Sequence, residues 1–335
     1  MASTINDVAR QCGLSPLTVR QVLNSAVPGV SEETRQRVFD TVRALDFAVN
    51  PHTHNIGVLF MDEKTRGLTH PFFASVLNDF KNSVERMGYD ITFINHNVLS
   101  GNMSYLEHCR YRNVDGVCLA CVDFTTPEVG ELISSDIPCV TVDHVFPGVP
   151  AVLSDNENGV RLLVEYAISM GHRRIAFISG HNNSMVTTIR IRQFHETMEA
   201  HGLAVPDGFA CDGLYDDVGL TRNFVESLLK RPDRPTCILL PDDTCYFGAQ
   251  EAAQSLEMRI PADISFAGYD GVALTQALRP QLTTVRQNSG AIGREAARLL
   301  VDLIENPKTA ARGPIAIPVE LIKGGTVGWC NDWAF

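Results

Sequence analysis

Apolar positions fall into two regimes along this chain. Over residues 4–45 they recur at helical spacing in three short stretches, and from Ile56 onward short apolar runs alternate with amphipathic ones. In the first regime, Thr4 and Asp7 have capping-box spacing, and Ile5, Val8, Ala9 and Cys12 form one stripe. Gly13 breaks that helix. Ser15 is a good N-cap with Pro16 at the first helical position, and Leu14 and Val19 have hydrophobic-staple spacing. Val19, Val22 and Leu23 give the second helix an apolar side. A third helix is predicted from Ser31, with Glu32 and Glu33 in its first turn and Val38, Val42 and Leu45 facing inward. The two helices spanning 4–24 have the shape that inserts a helix into the DNA major groove.

In the second regime IGVLFM, DITFIN, GVCLAC and PCVTVD read as strands, with HPFFASVLNDFKNSVERMG and TPEVGELISSD as helices between them. After Asp155 the alternation resumes with NGVRLLVEYAISMG, RIAFISG, IRIRQFHETMEAHG, CILLPDD, FGAQEAAQSLEM and ISFAGYD. This spacing predicts an α/β fold of parallel sheets with helices on their faces, in two lobes, behind a small all-α headpiece. Asn95, Asp143, Asp242, Asp243 and Asp270 stand at strand ends, where open α/β sheets bind ligands. Carboxylates there can accept hydrogen bonds from ligand hydroxyl or amino groups, or simply cap the helices that follow.

The wording of the headpiece, DVA-x(3)-G-L-S-x(2)-TV-x(2)-VLN followed by VSEETRQRV, resembles that of the LacI-type bacterial repressors. GHRRIAFISG, GYD followed by LTTVRQ, and the closing VELIKGG resemble the regulatory core of the same family, a periplasmic-binding-protein-like core with an effector in its cleft. The resemblance implies a helix-turn-helix headpiece over 1–49, a linker over 50–55 and a core over 56–330. The chain would cross between lobes near 154, 284 and 313, giving lobe one about 56–153 and 286–312, and lobe two about 154–283 and 313–330. The resemblance also implies that Thr4, Ser15, Leu17, Thr18, Arg20, Gln21 and Asn24 face DNA. It places Arg190, four residues before Phe194, against the effector, with Asp270 as its counterpart, Asp143, Asp242 and Tyr215 at further effector-facing positions, and Phe72 on the loop lining the cleft. Asp242 replaces a residue that is often Asn in the family, and Ala120 stands where many relatives carry a polar side chain.

Composition narrows the function classes. A chain of 335 residues with 44% hydrophobic content can bury a sizeable core. No apolar run reaches the roughly 18 residues needed to span a bilayer, and the N-terminus lacks a secretory pattern, so a cytoplasmic protein is expected. Nine cysteines do not form a disulfide framework, and the Cys118–Cys121 pair lies in an apolar strand without a second pair. His52 and His54 read as an exposed linker. No catalytic constellation, metal site or cofactor loop stands out, so no enzyme, metal or cofactor is expected. The net charge of −11 argues against non-specific nucleic-acid binding by the bulk of the chain. Within residues 1–50, Arg10, Arg20, Arg35, Arg37 and Arg43 are offset by Asp7, Glu32, Glu33, Asp40 and Asp46.

These observations point to a ligand-responsive transcription regulator, a repressor acting as a homodimer on operator DNA and controlled by a small metabolite, a sugar or a derivative. The alternative is a small-molecule sensor whose headpiece no longer binds DNA. Two departures from the family bear on DNA. Arg20-Gln21 replaces its usual Ser-Arg pair, with Arg suited to guanine and Gln to adenine. Asn50-Pro51 is followed only by HTHN before Ile56, where relatives carry about a dozen residues that fold into a minor-groove hinge helix. Four residues make barely one turn, with no leucine to wedge the groove and no Arg or Lys to grip it.

Overall fold

A computed structural model describes residues 5–23, 30–45, 53–60, 67–95, 103–180 and 184–330. Thr4, Asn24 and Asn50-Pro51-His52 lie outside the described residues, and Leu17, Arg20 and Gln21 are described by their backbone alone. The chain separates into two units, Met1–Thr53 and His54–Phe335.

The first unit contains α1 (Ile5–Cys12), α2 (Pro16–Leu23) and α3 (Glu32–Ala44). Their helical stripes meet as the spacing requires: Val8, Ala9, Cys12, Val19, Val22, Val38 and Val42 are buried together, with Leu14, Leu23, Phe39 and Leu45 packed against them. Gly13 takes a φ of 67° in the turn, a conformation that costs glycine little. Ser15 Oγ accepts the Thr18 backbone N–H at 3.0 Å and lies 2.7 Å from Thr18 Oγ1, which caps α2. Ser31 caps α3 in the same way, accepting the Thr34 N–H at 3.2 Å.

The second unit runs β1 (Asn55–Leu59), α4 (Pro71–Arg86), β2 (Asp90–Ile94), α5 (Tyr105–Tyr111), β3 (Gly116–Leu119), α6 (Pro127–Ile133), β4 (Cys139–Val142) and β5 (Ala151–Ser154). It continues through α7 (Asn156–Ser169), β6 (Ile175–Ser179), α8 (Met185–Ala200), β7 (Ala210–Asp212), α9 (Val218–Leu229), β8 (Cys237–Leu239), α10 (Tyr246–Ser255), β9 (Ser265–Asp270), α11 (Ala273–Gln276) and β10 (Thr283–Arg286). It ends with α12 (Ser289–Glu305), β11 (Pro314–Ile317) and β12 (Glu320–Ile322). Two six-stranded sheets result, in the orders β11-β5-β4-β3-β1-β2 and β12-β10-β9-β8-β6-β7. Every pairing is parallel except that of β10 with β12. The fold is therefore α/β, with both sheets mostly parallel and the inner strands β1, β3, β4, β6, β8 and β9 nearly continuous buried runs, as burial on two faces demands.

The chain passes from the first sheet to the second after β5, returns after β10 and leaves again between β11 and β12. This third crossing falls at 318–319 rather than near 313. The reason is pairing: β11 hydrogen-bonds β5 over Pro314–Ile317, so lobe one reaches Ile317 instead of ending at 312. The second crossing likewise follows Arg286 rather than 284, because β10 pairs with β9 as far as Asp270. α12 returns to the first lobe, where Ile292, Ala296, Ala297, Leu299, Leu300 and Ile304 join the core of Val58, Phe72, Val76 and Phe80.

The entry to the second unit is held tightly. The His54 N–H donates to Asp115 Oδ2 at 2.7 Å, and its carbonyl accepts the Asp90 N–H at 2.7 Å. The first strand starts at Asn55, one residue earlier than the apolar run suggests, since Asn55 Nδ2 bonds the Arg112 carbonyl and its Oδ1 accepts from Thr92.

α4 and α12 pack closely where Gly293 meets the α4 backbone. A Cβ there would stand 2.2 Å from the Val76 carbonyl oxygen and 2.8 Å from the Phe80 nitrogen. Gly293→Ala is therefore expected to destabilise the core by about 1–3 kcal/mol, read as a lowered midpoint in urea, because backbone on a packed helix cannot yield cheaply. An unchanged midpoint would contradict this packing.

Candidate functional site

The polar cluster of the second unit is built at strand ends. β4 delivers Asp143, β5 delivers Ser154, β8 leads through Pro241 to Asp242 and Asp243, β9 ends on Asp270, and β10 leads to Gln287. All are carboxyl ends of parallel strands, from both sheets. Asp143 and Asp270 both hold positive φ, 62° and 111°. Non-glycine residues rarely adopt such angles, and the strain they store is concentrated at functional positions.

Arg190, on α8, is 5% exposed. Its Nε donates to Asn156 Oδ1 at 2.8 Å and its Nη1 to the Pro241 carbonyl at 3.3 Å. Its guanidinium lies 3.6 Å from the centroid of the Tyr269 ring and 5.9 Å from that of Tyr215. Burial alone would lower its pKa, but Tyr215, Tyr269, Asp270 and Asp143 outweigh burial and raise it. The group thus stays charged inside the protein, supported by a π face, two acceptors and carboxylates from both sheets.

The carboxylates divide by how they are satisfied. Asp242 is spent on the fold: its Oδ2 accepts the Asp216 N–H at 2.6 Å and its Oδ1 the Cys245 N–H at 2.9 Å. Asp243 takes Thr284 Oγ1 at 2.5 Å, Thr275 Oγ1 at 2.8 Å and the Val272 N–H at 2.9 Å. Burial pushes Asp243 up to about 7. Asp270 accepts Gln287 Nε2 at 2.6 Å, and burial together with Asp242 lifts it well above the usual carboxylate range. Asp143 is pushed up to about 6, chiefly by burial, with Arg190 acting in the opposite direction.

Four enclosed polar atoms of this cluster have no hydrogen-bond partner among the described residues: Asp143 Oδ1, Ser154 Oγ, Gln287 Oε1 and the Tyr269 hydroxyl oxygen. Such groups are uncommon in folded proteins and costly to leave unpaired. Ser154 and Gln287 stand beside the first two crossings. Asn156 ties the first crossing to Arg190, since its Nδ2 bonds the Ser154 carbonyl. Gln287 ties the second to Asp270.

Of the residues expected at an effector site, Arg190, Asp143, Asp270 and Tyr215 come together. Tyr215 shares a 2.8 Å bond with Thr187, and its ring lies over Gly180, where a Cβ would stand 2.0 Å from it. Phe72 is 5% exposed and packs within the first lobe's core, while its neighbour Phe73 is partly exposed against Phe60 and His70. Ala120 is fully buried. Asn156, Tyr269, Ser154 and Gln287 went unnoticed in the sequence. Tyr269 precedes Asp270 in the GYD motif, and Gln287 closes LTTVRQ, so motif position was the available signal. Cys118 is buried and its thiol is raised to about 12 by burial; Cys121 is partly buried. In the headpiece, Ser15 and Thr18 stand together at the exposed start of α2. Of Arg20 and Gln21 only their place on α2 is described.

The raised carboxyl groups set a pH dependence. A carboxyl whose folded pKa exceeds its unfolded value stabilises most at low pH, and this contribution fades as pH rises through the folded value. For Asp143 and Asp243 that loss runs from the ordinary carboxylate range up to about pH 6 and about pH 7. The half-buried imidazole of His144, shifted downward by desolvation, acts in the opposite sense. The test is therefore a difference: wild type should lose more stability between about pH 5.5 and pH 8 than Asp243→Asn, by about 1 kcal/mol or more in urea titrations. Equal pH slopes would contradict a raised Asp243.

Comparison with known proteins matches two parts of the chain. Residues 4–50 match the model of the bacterial regulatory proteins of the lacI family, and residues 164–327 match a periplasmic binding protein-like domain. The chain is 29% identical to the HTH-type transcriptional repressor PurR of Vibrio vulnificus, covering 91% of this chain and 92% of that protein. It is 28% identical to the ribose operon repressor of Escherichia coli, over 96% of this chain and 99% of the relative. A solved regulatory protein of the LacI family from Chloroflexus aggregans aligns with a TM-score of 0.72 at 26% identity, covering 82% of this chain and 99% of that one. A capped second helix in a three-helix unit, two mostly parallel sheets with three crossings, and these relatives agree: the chain carries a lacI-family DNA-binding domain ahead of a periplasmic-binding-protein-like domain, as its repressor relatives do.

Proposed function

We infer that this protein is a ligand-responsive DNA-binding transcription regulator, a repressor that acts as a homodimer in the cytoplasm. Residues 1–49 read operator DNA, the linker ends at Thr53 because His54 and Asn55 already belong to the core, and the core from His54 to about 330 binds a small metabolite, a sugar or a derivative. The observation that carries the reading is the cluster around Arg190. A buried guanidinium and unpartnered acceptors from both sheets converge where α/β sheets hold ligands. The relatives' names, a transcriptional repressor and a ribose operon repressor, support the same reading, and no reaction is assigned. No helix among the described residues is long and apolar enough to cross a membrane.

Mechanistically, a ligand bridging Asp143 on the first lobe and Arg190 on the second favours one lobe arrangement by its differential affinity for it. Asn156 and Gln287 sit beside two of the crossings, so the ligand site and the pivots share hydrogen bonds. In a two-fold dimer, that arrangement sets the spacing of the headpieces and hence the fit to a palindromic operator.

Arg190→Ala should weaken effector binding at least tenfold by calorimetry, because it removes a charge-assisted donor and strands Asn156. Arg190→Lys, which keeps the charge but cannot lie flat on Tyr269, should recover only part of that loss. Wild-type affinity in both variants would remove Arg190 from the site.

For DNA, the short, uncharged linker and the balanced headpiece predict weak binding that depends on dimerisation and leaves the operator centre little bent. Band-shift experiments on operators selected from random DNA, with circularly permuted probes for bending, test this. A central kink with a linker side chain intercalated would contradict it. The headpiece's charge balance favours one other reading, a sensor without DNA binding, and undetectable specific binding at low salt would select that reading.

A further inference from the structure

We propose that the cleft selects an uncharged, hydroxyl-rich effector and excludes its phosphorylated counterpart, with Asp143 as the residue that sets the exclusion. The proposal rests on the sensing role inferred above and concerns the charge of the ligand.

Four carboxylates, Asp143, Asp242, Asp243 and Asp270, cluster with a single guanidinium, Arg190. Asp242 and Asp243 each add negative charge that Asp270 feels, while Asp143 and Asp270 both act on Tyr215 and Tyr269. The cluster already holds Asp143, Asp243 and Asp270 above the usual carboxylate range, so it disfavours negative charge, and a further anion placed among these side chains meets the same penalty. Arg190 is poorly placed to offset it. Its Nε and Nη1 are already committed to Asn156 and the Pro241 carbonyl, and its face lies on Tyr269. A phosphate would bring about two negative charges and only acceptor oxygens.

The unpartnered atoms point the same way. Asp143 Oδ1 and Gln287 Oε1 can only accept as they stand, while Ser154 Oγ and the Tyr269 hydroxyl can accept as well as donate, so the set needs donors as well as acceptors and suits hydroxyl groups, which supply both. Ser154 and Gln287 are 3% and 6% exposed, so these atoms belong to the floor of the cluster rather than to its solvated rim. Gln287 is held in this orientation because its Nε2 donates to Asp270. Adjacent hydroxyl groups supply the donors these acceptors need, and an ionised phosphate group in place of one of them supplies none.

The test uses the full-length chain and paired probes: ribose with ribose 5-phosphate, glucose with glucose 6-phosphate, and fructose with fructose 6-phosphate. Thermal shift finds the pair that binds, and calorimetry measures both members. The free sugar of that pair should bind at least about 30-fold more tightly than its phosphate. Asp143→Asn, which removes one charge, should narrow the ratio at least about fivefold, and Gln287→Glu, which adds one, should widen it. A phosphate that binds wild type as tightly as its parent sugar, or more tightly, would overturn the charge exclusion and leave the sensing role intact. Ratios unmoved in both variants would overturn the assignment to Asp143. Binding by no member of any pair would overturn the sugar-sensing reading and the proposal with it.

Discussion

A buried cation must be surrounded by enough compensation to remain charged, and Arg190 shows how this fold supplies it. Removing a guanidinium from water costs several kcal/mol. Here the cost is offset by the Tyr269 ring at 3.6 Å, by Asn156 and the Pro241 carbonyl, and by carboxylates approaching from both sheets. Each of these groups is fixed by a different element: α7 for Asn156, the end of β8 for Pro241, β9 for Tyr269 and Asp270, and β4 for Asp143. The two sheets must therefore keep their carboxyl ends in register with one side chain on α8. The positive φ angles at Asp143 and Asp270 are the local strain of meeting that requirement.

The same constraint explains the division of labour among the acidic residues. Asp242 and Asp243 look alike in sequence, but both are occupied with backbone and threonine donors that shape the loops after β8 and β9. Asp143 has an oxygen to spare, and Asp270 shares its own with Gln287, whose other amide atom is unpartnered. Capacity to bind a ligand thus lies in the residues the fold leaves incompletely satisfied. Those residues stand beside the crossings, where a small rotation of one lobe changes the distance from Asp143 to Arg190.

Much of the fold was legible because its signals are local. Ser15, Pro16 and Gly13 mark the turn between α1 and α2 by their own conformational preferences, and the buried valines of the headpiece follow helical spacing. The strands β1, β3, β6 and β9 are apolar runs that need no context to be recognised. What was not legible depends on pairing. β5 and β11 are four-residue strands, and only their mutual register places the third crossing at 318–319. α12 has plain helical spacing, and its return to the first lobe was foreseen only through the family resemblance, not from any local signal. For the site, Arg190, Asp143, Asp270 and Tyr215 follow from motif position. Gln287 closes LTTVRQ and could have been found the same way, but Asn156 could not, because a carboxamide near a helix start reads as a cap until the guanidinium beside it is seen.

The account's central claim is that one ligand joins the two lobes through Asp143 and Arg190. A crystal structure of the full-length chain with the sugar that raises its melting temperature most tests this directly. The account predicts ligand oxygens within hydrogen-bond distance of Arg190 on one side and of Asp143 and Gln287 on the other. A ligand seated elsewhere, or held by one lobe alone with Asp143 Oδ1 still unpartnered, would contradict it.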